Sequence, residues 1–553
     1  MIWSKRDELD SIKQVVSRNS GMTEEELMKT EWDTQIMHLY DVADYLRNAS
    51  DTKKKIAVFA DYDCDGICSA VIMHVILKSL QIDFKIYFPK RGIGYGLQKR
   101  YIDMIDEKYD AVITIDNGIS AFEGIDAAKA RGMDVIVIDH HLQSPEGLPN
   151  ADIIVDPHVF KEKENFEDWC GAGLGYELSK LICDEKRQKV CLQFAAFATV
   201  ADVVPLRFNN RTIVKNGLEL INNSSVNSIH LLINEITGLG KPNVDETTIG
   251  FKIGPIINAM GRVEDDAEYV YRYFTSGNPE MLQHMVDNNE VRKELVIQAV
   301  ERAQNIVVEE CLFSDVPKII YDPKTIEGIV GVVAGRLTET YKSPVICLTD
   351  SETPGVIKGS ARSTEDINIK EALDKVSDHL LHYGGHAGAA GLSLKIDELD
   401  NIRDCFFSIF EDFEVQENDE IFYDLEINAE EIPDTLSLLK AYAPFGEGNR
   451  PPVFKINNFK CLPRNGKLFQ IIGDDGKALK LFGNGCIAIG FDAVEKFNSL
   501  NMPKTLDIIG VISENNYGKP EAQIEISDFK KVTEIKNQSE LTKLCLNDIL
   551  SGL

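Results

Sequence analysis

Short runs of aliphatic and β-branched residues that end abruptly in aspartate constrain this chain more than any other feature. Residues 55–60 run into Asp61, 111–115 into Asp116 and 135–138 into Asp139. Apolar runs this short and continuous read as strands covered on both faces. Helical patterns over about 66–80 and 121–131 lie between them, and 84–88 and 153–155 read as two further strands. Strands alternating with helices predict βαβ units and a parallel sheet. Carboxylates at successive strand ends of such a sheet gather along one edge, where open α/β sheets place their ligands.

The acidic strings carry chemistry. In Asp61-Tyr62-Asp63-Cys64-Asp65-Gly66, alternate carboxylates sit on a strand-to-helix turn that Gly66 permits. A calcium loop would need a glutamate six residues after the glycine, and position 72 is isoleucine, which argues against an EF-hand. Asp116 stands in Thr114-Ile115-Asp116-Asn117-Gly118, a string that alone would also suit a plain Asx turn. Asp139-His140-His141 is more specific, because imidazole is a common nitrogen ligand and two adjacent histidines after a buried strand are unusual. On extended backbone the two rings should point to opposite sides. One would coordinate, the other would reach substrate or support the site from behind, and Asp139 would orient an imidazole. Asp202, in Ala198-Thr199-Val200-Ala201-Asp202, adds another carboxylate. Carboxylates with imidazole and no thiolate favour a hard or borderline ion. The histidine tips the choice to Mn²⁺, with Mg²⁺ the alternative, and two such ions would activate water and clamp a phosphoryl oxygen during phosphoester hydrolysis. Cys64 and Cys68 do not have zinc-site spacing, and 11 cysteines without a Cys-x-x-Cys pair suit a reducing cytoplasm.

Farther along, 24–48 reads as one amphipathic helix. Residues 265–310 read as one or two connecting helices, and 318–321, 330–341, 344–348 and 356–360 as a second α/β unit. From about 420, alternating runs at 469–472, 479–482, 487–491, 505–512 and 521–526 suggest a small β-barrel. The expected division is an N-terminal helical segment 1–50, a catalytic domain 51–225, a helical connector 226–312, a substrate-binding domain 313–415 and a nucleic-acid-binding barrel 420–540. No apolar run approaches a membrane span, and the charged start lacks a signal-peptide core. A net charge of −30 opposes broad nonspecific binding to nucleic acid, although a basic channel can sit inside an acidic shell.

The metal motifs, taken together, resemble those of the DHH phosphoesterase superfamily, and within it the single-strand-specific 5′→3′ exonucleases of bacterial recombination and repair. Similar strings extend through Gly94-Tyr95-Gly96-Leu97, Asn258-Ala259-Met260-Gly261-Arg262, Gly359-Ser360-Ala361-Arg362-Ser363 and Gly384-Gly385-His386 to Pro444-Phe445-Gly446-Glu447-Gly448-Asn449 before the barrel. The chain departs from that pattern at Ile256, where arginine is usual, and at Met260, where a small residue is usual. The resemblance implies an α/β fold: a parallel-sheet DHH domain, a helical connector, a second, DHH-associated α/β domain and a C-terminal OB-like barrel. It implies one metal on Asp61, Asp63 and Asp116 and a second on Asp65, Asp116, His140 and Asp202, with His141 at the scissile phosphate. Arg91, Asn258, Arg262, Ser360, Arg362 and His386 would bind substrate. The implied substrate is single-stranded DNA entering a cleft too narrow for duplex. The protein would act as a cytoplasmic monomer off the membrane, with help from a partner such as single-strand-binding protein. Alternatives are an oligonucleotide or nucleoside bisphosphate phosphatase of the same superfamily, which generally lacks a barrel, a noncatalytic DNA-binding subunit, which tends to lose ligands, and an inorganic pyrophosphatase, which shares only the first domain.

Overall fold

A computed structural model of the protein describes residues 1–90, 96–105, 108–238, 244–364, 367–410, 420–473, 476–515 and 520–532. The chain divides into two units: Met1–Lys29 with Asn418–Leu553, and Thr30–Glu417.

After a first strand β1 (Ile2–Lys5), the larger unit builds a sheet from β2 (Lys55–Ala60), β3 (Asp83–Tyr87), β4 (Ala111–Ile115), β5 (Asp134–Ile138) and β6 (Ile153–Val155). Its order is β3-β2-β4-β5-β6 and every pairing is parallel. Side chains alternate between two apolar clusters. Ile56 and Val58, Ile113 and Ile115, and Ile136 and Ile138 face one, while Ala57, Phe59, Val112, Val135 and Val137 face the other. Both faces are therefore dry, which explains why these strands read as unbroken apolar runs. The strand order reverses between β2 and β4, so Asp61 and Asp116 emerge at the crevice where doubly wound sheets bind ligands.

A π-helical turn (Ile249–Ile253) runs into the helix Gly254–Val263, followed by Ala267–Ser276 and the long helix Pro279–Glu309. The second sheet contains β7 (Lys318–Tyr321), β8 (Val345–Asp350), β9 (Val356–Arg362), β10 (His382–His386) and β11 (Ala389–Lys395), in the order β10-β11-β9-β8-β7. Only β7 and β8 pair in parallel.

In the smaller unit β1 pairs in parallel with β12 (Glu420–Tyr423). The sheet beside them uses β13 (Leu425–Asn428), β14 (Val453–Lys460), β15 (Phe469–Ile472), β16 (Ala478–Gly483), β17 (Cys486–Gly490), β18 (Thr505–Asn515) and β19 (Glu521–Lys531). Its order is β13-β14-β18-β19-β17-β16-β15. A bridge between Cys461 and Gly483 joins the end of β14 to the end of β16, curling the sheet towards a barrel.

One expectation fails. The stretch 24–48 is not a single helix: Glu24–Met28 and Leu39–Asp51 are separate helices. Tertiary hydrogen bonds hold the chain between them open. The amides of Gln35 and Met37 donate to the side chains of Asn165 and Glu164. Bonds of that kind outweigh local helical preference.

Candidate metal centre

Asp61 follows β2, and its Oδ1 accepts from the Tyr62 amide at 2.7 Å. Asp63 caps the helix Cys64–Ser79 by accepting from the Gly66 amide at 3.1 Å. A Cβ on Gly66 would lie 2.3 Å from the Asp61 carbonyl oxygen, so only glycine lets the helix start this close to the strand end. Asp65, in the first turn, is buried. Its carboxylate accepts from the amides of Gly171 (2.6 Å) and Ala172 (2.8 Å), which open the helix Gly171–Ile182. A helix N-terminus stabilises an anion there.

Asp116 leaves β4 with φ of 62°, in the left-handed region that side chains rarely occupy. Such strain gathers at functional sites. A Cβ on Gly171 would come within 2.6 Å of the Asp116 Cβ, so that approach also demands glycine. Asp202 ends the helix Glu185–Ala201.

His140 Nε2 lies 3.0 Å from Asp116 Oδ1, 3.6 Å from Asp65 Oδ2 and 3.8 Å from Asp202 Oδ2. Three sets of ligand-capable atoms each fall within 4.8 Å: Asp61, Asp63 and Asp116; Asp65, His140 and Asp202; and Asp116, His140 and His141. All seven side chains singled out in the first 202 residues therefore converge. The two imidazoles do not diverge as extended backbone would require. Their centroids are 4.5 Å apart, because β5 ends at Ile138 and the chain bends at His141. Asp139 is the brace: its Oδ1 takes His141 Nδ1 at 2.7 Å and its Oδ2 takes the Ile119 amide at 2.8 Å.

The electrostatics are those of crowded anions. Burial and the neighbouring Asp63 push Asp65 up to about 6. Asp116 and Asp202 are raised well above the ordinary carboxylate range by burial and then by Asp65 and Asp63. Burial pulls His140 down to about 3, leaving a neutral ligand. Burial also acts against charge on His141, but the Asp139 carboxylate prevails and lifts it to about 10. Mutually repelling buried carboxylates beside a neutral imidazole fit divalent cations, which would remove the repulsion.

Strand ends also supply a residue that the sequence reading passed over. Asp156 follows β6, is fully buried, and is pushed up to about 8 by burial and by Asp139. One oxygen accepts from the His158 amide at 2.9 Å, while the other has no hydrogen-bond partner. The rule that flagged Asp61, Asp116 and Asp139 would have found it.

The remaining residues fall into two groups. On β9, Arg362 Nη1 donates to Ser360 Oγ at 2.6 Å, and Gly331 lets both side chains lie against its helix. Cross-strand register sets Arg362, Ala389 and His386 side by side and aligns Ser360 with Gly391 and Gly384. Open space surrounds those two glycines, so the strands form a shelf bare of side chains next to Ser360. His386 is exposed and adds to the effect of burial in keeping His158 low, so it faces the first domain. On the helix Gly254–Val263, Asn258 Oδ1 is buried without a partner, and Arg262 Nη1 donates to the Gly328 carbonyl at 3.1 Å. Arg91 lies outside the described residues.

An all-parallel sheet with this donor set at its switch point, followed by a second α/β domain, defines a DHH-class protein. The models of the DHH family N-terminal domain, the DHHA1 domain and the RecJ OB domain match residues 55–201, 303–412 and 423–528. The single-stranded-DNA-specific exonuclease RecJ of Haemophilus influenzae is 30% identical over 479 residues, 81% of this chain and 81% of that protein. The chain belongs to the RecJ family. RecJ of Bacillus subtilis is 33% identical over 435 residues, 76% of this chain but only 54% of the longer relative. The crystal structure of RecJ from Thermus thermophilus in complex with Mn²⁺ superposes with a TM-score of 0.77 at 24% identity, covering 95% of this chain and 76% of that one.

Proposed function

We propose that the protein is a metal-dependent 5′→3′ exonuclease specific for single-stranded DNA, releasing 5′ mononucleotides in recombination and repair. Family membership supports the activity class. The convergence of Asp61, Asp63, Asp65, Asp116, His140, His141 and Asp202 carries the mechanism.

Asp61, Asp63 and Asp116 would hold one cation, and Asp65, Asp116, His140 and Asp202 the other, with Asp116 shared. Bound there, two Mn²⁺ ions supply Lewis acidity and an acidified water, and Mg²⁺ is the alternative. The protein's own groups do the rest. Amides at a helix start fix Asp65, so it cannot turn away when a neighbour changes charge. Asp139 holds His141 through Nδ1, which fixes the direction of its ring. His141, whose positive charge the Asp139 carboxylate favours, would face the scissile phosphate. Arg362, steadied by Ser360, offers its guanidinium to the 5′ phosphate. His386 and Arg262 flank the strand, with Asn258 and Arg91 as further contacts.

In this reading residues 51–225 perform the chemistry, 226–312 connect, 313–415 hold the phosphate end and 420–540 grip the strand by stacking and charge. The protein works as a cytoplasmic monomer and draws on single-strand-binding protein to offset its acidity. No helix among the described residues is long and apolar enough to cross a membrane.

The test is an assay in Mn²⁺ with 5′- and 3′-labelled single and double strands. Mononucleotides should leave from the 5′ end of single strands alone. Release from 3′ ends, or equal attack on duplex, contradicts the reading.

A further inference from the structure

Phe251 is 82% exposed, more than any other large apolar side chain described. Isolated surface phenylalanines are ordinary, so exposure alone carries nothing. Its location carries the argument. Phe251 projects from the π-helical turn Ile249–Ile253, the kind of irregular turn that recurs at functional sites. That turn and the following helix rest on the elements that bear the acidic ligands. A Cβ on Gly250 would touch Val200 at 3.7 Å, one on Gly254 would meet Ala201 at 3.3 Å, and one on Gly261 would meet the Tyr62 carbonyl at 3.0 Å. Val200 and Ala201 immediately precede Asp202, and Tyr62 lies between Asp61 and Asp63.

The glycine row therefore faces the metal centre. Asn258 lies in that row, with a buried oxygen that has no partner. Steps of seven and eleven residues from Phe251 reach Asn258 and Arg262, placing all three along one side of the helix. Allowing for the wider π-turn moves Phe251 towards Arg262, whose guanidinium reaches Gly328 of the second α/β domain. Phe251 thus stands on the flank bounded by the acidic centre and that domain. Val203, next to Asp202, is a second exposed apolar residue, 63% exposed and held at φ of 59°.

We propose that Phe251 is a stacking platform for a nucleobase of the single strand, setting how the strand is positioned as its end enters the acidic centre. This rests on the exonuclease reading. A flat apolar face suits any base, and stacking requires a base that is unpaired. The polar neighbours on the same flank, Asn258 and Arg262, would meet the sugar and phosphate while Phe251 meets the base. Phe251 acts as a positioning residue and takes no part in bond breaking.

The experiment compares wild-type protein, Phe251→Ala and Phe251→Trp in Mn²⁺ on an oligo-dT strand and on the same strand with abasic leading nucleotides. Phe251→Ala should raise KM for oligo-dT roughly 5- to 100-fold, the range for losing one base–aromatic stack, with kcat nearly unchanged. It should cost nothing on the abasic strand. Phe251→Trp should restore KM, and its added emission should be quenched by oligo-dT but not by the abasic strand. An unchanged KM in Phe251→Ala, equal losses on both strands, or no quenching in Phe251→Trp overturns the stacking role and leaves the exonuclease reading intact. A wild-type protein that fails to shorten oligo-dT overturns both.

Discussion

The two α/β sheets of the larger unit bury charges of opposite sign. The first is parallel throughout and collects Asp61, Asp116 and Asp139 at its carboxyl edge, with Asp65 and Asp202 closing in from helices. The second is mixed and presents Ser360 and Arg362 from β9 and His386 from β10, with β11 paired antiparallel between them. In the first, burial and mutual repulsion raise the carboxylates Asp65, Asp116 and Asp202. In the second, burial lowers the Arg362 guanidinium, which has no carboxylate partner within ion-pair distance among the described residues. Each region is electrostatically incomplete alone: one needs cations and the other an anion. A phosphodiester with divalent ions would satisfy both, which is the substrate class proposed above.

Removing a ligand from the acidic sheet should have the largest effect. Asp116→Ala should lower kcat in Mn²⁺ by roughly 10³-fold or more, the several kcal/mol of Lewis-acid stabilisation taken at tenfold per about 1.36 kcal/mol. Single-turnover hydrolysis of a labelled strand measures this, and retained activity would remove Asp116 from the centre. The basic sheet should respond differently. Arg362→Ala should raise KM for 5′-phosphorylated strands about 10- to 100-fold, the equivalent of one charge-assisted hydrogen bond, and affect unphosphorylated ends far less. Arg362→Lys should recover only part of this, because an ammonium lacks the guanidinium fork. A loss that ignores the 5′ phosphate would erase the division of labour.

The metal itself sharpens the contrast through pH. The folded pKa of Asp65 is about 6, above the usual carboxylate value, and Asp116 and Asp202 are likewise raised well above it. Groups raised on folding bind more protons in the native state, so metal-free stability should fall as pH rises through that window. Mn²⁺ should cancel the loss, and the Tm gap between Mn²⁺-loaded and chelated protein should widen from pH 5 to 8. A gap independent of pH would mean the carboxylates are not the ion's ligands. The smallest effect is expected at His386, which is exposed. His386→Ala should change kcat/KM about 2- to 10-fold, the range of a single hydrogen bond.

The first sheet was almost wholly legible because its strands are buried on both faces and end in charge, a local signal. The second was only half legible. β10 and β11 contain Gly384, Gly385, Gly388 and Gly391 within or between them, and glycine-rich sequence reads as turn; the pairing that makes them strands comes from β9. In the centre itself, residue types singled out the seven side chains that converge. Their supports were invisible, because the amides that hold Asp65 come from Gly171 and Ala172, more than a hundred positions away. The helix expected over 24–48 failed for the same reason, since the bonds that interrupt it come from Glu164 and Asn165.

The pairing of β1 with β12 bears on how the molecule is made. Ser4 and Glu420 are 416 positions apart, yet their strands lie side by side. Val15 sits in the core of the barrel unit, and Asp424 binds both Arg6 and Arg18. At a ribosomal pace of about 5–20 residues per second, roughly 20–80 s separate the emergence of these partners. Throughout that interval residues 1–29 must stay soluble and uncommitted while residues 30–417 emerge and fold, so the smaller unit can close only after the larger one has been made.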